Sequence, residues 1–251
     1  VVKITILGSS NAIPDDSHDN THMAIVGEKS TVLIDCVNNP IVRLRQAGID
    51  YDDIRDIILT HFHPDHVSGM PLLLMGLWLL GRKLPLNIYG LDYTIERMEK
   101  VMEFYDWMSW PNFFPVNFHG LADSEMAPVM ATDEFRIYSS PVCHLVPTIG
   151  LRVELVDNGK VMAYSCDTEP CKQVVRLSEN ADVLIHECSG DTLGHTSAPQ
   201  AGEIARNAGA GALYLIHYPT GDFDTQSLVR NARTTFDGPV ALAEDFMQIE
   251  L

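Results

Sequence analysis

Short apolar, β-branched runs recur along the chain, and most are followed by a stretch whose apolar residues repeat at helical spacing. In the first half they predict strands over residues 3–8, 23–27, 31–36, 56–60 and 86–89, with helices near 40–47, 70–80 and 92–108. The second half restarts with strand patterns at 135–139 and 148–155. Asp157-Asn158-Gly159 is a tight hairpin signal leading into a strand at 160–165. Helical patterns at 171–177, 198–208 and 225–234 then precede strands at 182–186, 212–217 and 240–242. Hairpins followed by strand–helix alternation in both halves predict an α/β protein, a four-layer αββα sandwich of two mixed β-sheets flanked by helices. No Gly/Ser-rich linker interrupts the pattern, so residues 1–251 are expected to form one domain of two half-units, roughly 1–130 and 131–251.

Composition narrows the setting. At 46% hydrophobic residues the chain can bury a substantial core. The balance of 17 Lys+Arg against 34 Asp+Glu gives a formal charge of −17, and no basic stripe suited to tracking phosphates is visible. Five cysteines form no C-x-x-C, which argues against a disulfide framework or zinc knuckle and for a reducing cytoplasm. The first residues read as a strand and turn rather than a signal peptide. The apolar stretch 70–81 contains Pro71 and is too short to span a bilayer, so it is expected as a buried helix beside the reactive site, with no membrane partner.

The densest chemistry is His61-Phe62-His63-Pro64-Asp65-His66, directly after the strand pattern at 56–60. That position is the C-terminal mouth of a buried strand, where open α/β sheets place their ligands. His144, Asp167 and His217 each follow a strand run as well. Two divalent ions about 3.5–4 Å apart need roughly three protein ligands each and an anionic bridge. His61, His63 and His144 supply one set, Asp65, His66 and His217 the other, and Asp167 the bridge. A water between the ions, deprotonated near neutral pH, is then the expected nucleophile. Imidazole and carboxylate ligands favour Zn2+, with Mn2+ or Fe2+ compatible.

This six-residue cluster with its three later partners resembles the signature of the metallo-β-lactamase superfamily, whose αββα sandwich draws ligands from both halves. Within it, Ile185-His186-Glu187-Cys188 and His195-Thr196-Ser197-Ala198 resemble the His-Glu and His-Ser-Thr segments of the ribonuclease Z family, the tRNA 3′-end endonucleases. The opening Ile6-Leu7-Gly8-Ser9-Ser10 is similar too. The resemblance implies that Glu187 orients His195, which faces the scissile phosphate and stabilises the transition state or protonates the leaving oxygen. It also implies Asp65 as a proton acceptor and a homodimeric assembly. Thr196 and Ser197 are expected N-caps of the following helix.

The chain departs from that family in three places. Asp35-Cys36-Val37-Asn38-Asn39-Pro40 replaces a Gly-Glu-Gly-Thr-like phosphate loop, and Cys166 stands where a glycine precedes the bridging aspartate. In place of a Gly-rich basic arm there is an acidic, aromatic segment at 103–115, suited to walling a pocket, contacting a second subunit or closing the core. His18 and His22 are read as ordinary loop histidines, and His119 and His186 as structural.

The leading expectation is therefore a dinuclear metal-dependent phosphodiesterase of the ribonuclease Z-like type, acting on an RNA or small-molecule phosphodiester; tRNA is possible by resemblance but unsupported by charge. A lactone, thioester or sulfate-ester hydrolase on the same metals is the alternative. A non-hydrolytic metal-binding module is the third reading, and the absence of a flavodoxin-like extension argues against it.

Overall fold

The computed structural model describes residues 1–251. Fourteen strands form two seven-stranded sheets. The first sheet is built from β1 (Lys3–Gly8), β2 (His22–Val26), β3 (Thr31–Ile34), β4 (Ile54–Ile58), β5 (Leu86–Leu91) and β6 (Val116–Leu121). The second contains β7 (Ala127–Ala131), β8 (Phe135–Val142), β9 (Thr148–Leu155), β10 (Val161–Tyr164), β11 (Val183–Glu187), β12 (Ala212–Ile216) and β13 (Val240–Leu242). The last strand, β14 (Gln248–Glu250), returns to the first sheet and pairs antiparallel with β1. The change from the first sheet to the second falls between β6 and β7, near the expected boundary of the half-units, but β14 crosses back to the first sheet.

Helices cover the outer faces. α1 (Pro40–Gln46), α2 (Pro64–Val67), α3 (Met70–Leu79) and α4 (Asp92–Phe104) accompany the first sheet, and α5 (Lys172–Leu177), α6 (Ala198–Ala208) and α7 (Thr225–Ala232) the second. The period of two along each strand divides its side chains between layers. On β1, Ile4 and Ile6 enter the core between the sheets, while Leu7 packs on the helix side. On β11, Val183 and Ile185 face the opposite sheet, and Leu184 and Cys188 pack toward α6. This matches the expected αββα sandwich.

Four expectations need correction. The aromatic segment is not helical to Met108, because α4 ends at Phe104 and Asp106 adopts a left-handed conformation, φ 52°. Strands β6, β7 and β14 are additional to the predicted ones, and each is completed by pairing with a neighbour. α3 is buried only on the face of Met70, Leu73, Leu74 and Leu77; Leu72, Met75 and Leu79 are exposed. His22 lies in β2, fully buried with Nδ1 2.8 Å from the Asn20 carbonyl, rather than in a loop. No helix is long and apolar enough to cross a membrane.

Candidate metal centre

Strands β1, β3, β4, β8, β10, β11, β12 and β13 all deliver their C-terminal ends to one edge of the sandwich, so the loops that follow them converge there. All seven residues expected as ligands meet at that edge. His61 Nε2 and His144 Nε2 each lie 3.1 Å from His63 Nδ1, and 4.0 and 3.9 Å from Asp167 Oδ2. Beside them, His217 Nε2 is 3.5 Å from Asp65 Oδ2 and 3.4 Å from Asp167 Oδ2. His66 Nε2 is 3.7 Å from Asp65 Oδ2 and 3.5 Å from Asp167 Oδ1. Asp167 thus touches both groups, one histidine-rich and one mixed.

The residues fit divalent ions on two grounds. Ligands about 2.0–2.2 Å from a tetrahedral ion stand about 3.4 Å from each other, which is the spacing seen in both groups. Secondly, His66 Nε2, Asp167 Oδ1 and His217 Nε2, which face one another, are buried without a hydrogen-bond partner. Buried polar atoms without partners are costly, and a shared cation satisfies them together.

Surrounding groups fix the ring orientations. His66 Nδ1 donates to Asp35 at 2.7 Å, and His144 Nδ1 donates to the Gly194 carbonyl at 2.7 Å. Thr60 donates its hydroxyl to Asp35, leaving its oxygen to accept from His61 Nδ1 at 3.2 Å. In each ring the Nε2 atom is left to face the site. Sequence reasoning missed Asp35. Its signal was an aspartate ending the apolar run Thr31-Val32-Leu33-Ile34, at the same sheet edge as His61.

Charge follows from these contacts. Burial favours the neutral rings and lowers the pKa values of His61, His63 and His144, as metal ligation requires. Burial alone would raise the Asp167 carboxyl, but His217 and His66 hold it well below the usual range. His66 is driven the other way: burial opposes its charge, yet Asp167 and Asp35 raise it well above an ordinary histidine.

Glu187 and His195 are also brought together. Glu187 Oε1 accepts from His195 Nδ1 at 3.0 Å and from the backbone amides of Thr168 and Thr196, while Oε2 accepts from the Ser189 amide. Ser165 Oγ in turn accepts from the Glu187 amide. Burial pushes the Glu187 carboxyl up, and its hydrogen bond raises His195. The His195 ring stacks on His217 with centroids 5.8 Å apart and meets His144 edge-on at 5.1 Å. It remains half-buried, open on one side.

Other expectations resolve individually. Cys166 is fully buried with Sγ 3.6 Å from His61 Nδ1, and its left-handed backbone, φ 53°, explains why glycine suits that position. Ser197 caps α6, its amide and hydroxyl donating to Gln200; Thr196 does not cap, since its hydroxyl donates to the Thr168 carbonyl. His18 pairs with Asp15 at 2.9 Å, His119 stacks on Tyr89, and His186 is buried, so none of the three joins the centre.

Residues 30–218 match the family described as the Beta-lactamase superfamily domain. The chain is 27% identical to a Ribonuclease Z of Methanothermobacter thermautotrophicus, over 100% of this chain and 97% of the relative. Among solved structures it resembles the metallo-beta-lactamase fold protein YhfI from Bacillus subtilis, with a TM-score of 0.84, 26% identity and coverage of 100% and 99%. The short form of human tRNase Z shares the fold at a TM-score of 0.80 and 23% identity, covering 99% and 98%.

Proposed function

The chain belongs to the beta-lactamase superfamily, and from that membership we propose a dinuclear phosphodiesterase of the ribonuclease Z-like type. It is a metal-dependent hydrolase. The observation that carries the phosphodiester reading is the Glu187–His195 pair beside two ligand groups joined by Asp167.

His61, His63, His144 and Asp167 would hold one ion, and Asp65, His66, His217 and Asp167 the other, Zn2+ being favoured by the donor set. When bound, such ions supply Lewis acidity toward a phosphoryl oxygen and ionise a water as nucleophile near neutral pH. The chain's own residues do the rest. Asp35, Thr60 and the Gly194 carbonyl keep the ligating nitrogens aimed inward. Burial works against ionised Asp65, but the adjacent His217 and His66 lower its pKa and keep it a carboxylate, the form that accepts a proton. His195, protonated at Nδ1 against Glu187, presents its other nitrogen to the open side and carries a proton to the departing oxygen.

A homodimer is part of this reading. It is supported by the exposed apolar side chains of α3, Leu72, Met75 and Leu79, and by Met108 beside Trp110, which stacks on Trp78 of the same helix.

The test is turnover by metal-loaded protein of bis(p-nitrophenyl) phosphate against a lactone, a thioester and an aryl sulfate, with Asp167→Ala as control for the metal centre. Preference for the phosphodiester supports the assignment. Turnover confined to another ester class would overturn it.

A further inference from the structure

The loops that frame the site are 9–21, 35–39, 59–69, 143–147, 165–171, 188–197, 217–224 and 243–247. None of them contains a lysine or an arginine. Of the cations nearest in sequence, neither lines the site itself. Arg43 bonds Asp245 and the Leu7 carbonyl, whereas Lys172, at the start of α5, lines a neighbouring cavity on the far side of Pro170 and Gln200. What the loops do carry at the rim is apolar or acidic: Ile13, Leu145, Leu193 and Phe223 are exposed there.

His195 lines a cavity of about 520 Å3 that Asp65 does not reach. Its other polar lining residues are Glu169, Asp191, Thr192 and Gln200. Glu169 Oε1 accepts from the Gly194 amide at 2.9 Å, which ties the carboxylate to the loop whose carbonyl orients His144. The group that leaves a phosphodiester must depart on the side of the residue that protonates it, so the cavity at His195 is where that group sits. Its acceptors suit hydroxyl or ammonium donors. A further phosphate there would face two carboxylates with no lysine or arginine in the cavity's own lining, the nearest being Lys172 in the neighbouring cavity.

We propose that this cavity receives the leaving alcohol and selects a small hydroxyl- or ammonium-bearing one over any leaving group with additional phosphates, such as an RNA segment. The inference rests on the phosphodiesterase reading above. It turns an observation about net charge into a statement about one pocket: the scissile phosphate is the only anionic group the site accommodates.

The experiment compares kcat/KM for methyl phosphodiesters of glycerol, choline and glycerol 3-phosphate, together with bis(p-nitrophenyl) phosphate and a precursor tRNA. The glycerol and choline esters are expected to exceed the phosphate-bearing ester by about 100-fold at low ionic strength, with the ratio shrinking in salt. The double variant Glu169→Gln/Asp191→Asn is expected to narrow that ratio about tenfold, since it keeps the shape and removes the charge. Circular dichroism and thermal melting establish that the variant is folded, and a single-charge variant, Asp191→Asn, gives a second reading at an exposed position. Equal turnover of the phosphate-bearing ester or of precursor tRNA, or a ratio unmoved by both variants, would overturn the proposal while leaving the phosphodiesterase reading intact. Failure of every diester, bis(p-nitrophenyl) phosphate included, would overturn both.

Discussion

The carboxylate of Asp35 accepts the Nδ1–H of His66 at 2.7 Å and, through the Thr60 hydroxyl, also fixes the ring of His61, so one buried residue orients a ligand in each of the two groups. Asp35 holds this position in a left-handed backbone conformation, φ 60°, at the end of β3. Replacing it by asparagine keeps the volume but presents an amide to donors on all sides. Asp35→Asn is expected to weaken metal binding by about 10–100-fold, read by competition with a chromophoric chelator. Unchanged affinity in a folded variant would show that Asp35 is merely structural.

His195 and Glu187 make a different prediction because their role depends on the leaving group. With a poor alkoxide leaving group, His195→Ala is expected to lower kcat by about 10²–10⁴-fold. With p-nitrophenolate, which departs without a proton, the loss should be far smaller. Glu187→Gln should fall between the two on alkyl esters, and equal losses on both substrate types would argue against proton donation.

Metal removal should cost stability as well as activity, since the ligand groups leave buried atoms without partners in the absence of ions. Binding at 100 times Kd stabilises by about 2.7 kcal/mol, or about 5–10 °C in Tm for a domain of this size. A scanning-calorimetry comparison before and after chelation measures it. A chelated protein that melts at the same temperature would mean that no ion binds the folded state in preference to the unfolded one.

Acid stability depends on His186, which faces the helix side of β11 next to inward-facing Glu187. Burial lowers its pKa to about 4, and its Nε2 atom has no partner. Between pH 6.5 and 4 the unfolded chain binds the proton that the folded state refuses. The stability present above pH 6.5 is therefore lost as pH falls through this window, by about 3 kcal/mol in total. His186→Gln should flatten that part of the pH dependence in urea unfolding of chelated protein. Parallel profiles for the two proteins would exclude the effect.

The apolar face of α3 predicts the assembly state. Leu79, 69% exposed, is expected to lie in the dimer contact, so Leu79→Glu should halve the mass seen in sedimentation equilibrium without lowering helix content. A wild-type monomer at micromolar concentration would refute the homodimer outright.

Much of the site was legible because its ligands are local or follow a repeated rule. His61, His63, Asp65 and His66 fall within six residues, and His144, Asp167 and His217 each follow an apolar strand. Strand parity also placed the elements well: β1, β9, α6 and β13 begin and end where the pattern put them. Strand β6 does alternate, at Val116-Asn117-Phe118-His119, but that signal was passed over; the short strands β7 and β14 were not legible, since their residues acquire a strand's geometry by pairing with longer neighbours. Asp35 was missed for a related reason: nothing near it in sequence reveals that His66 and Thr60 will close around its carboxylate.

By itself the sequence determined the layers and the inventory of donors, because apolar periodicity and residue chemistry are properties of short segments. The tertiary structure decided what no segment contains. It set which nitrogen of each ring faces the site, joined Glu187 to His195 across a loop, and gathered eight loops without a lysine or arginine around one cluster of ligands. Those outcomes depend on distances between residues remote in sequence, and only the packing of two sheets fixes such distances.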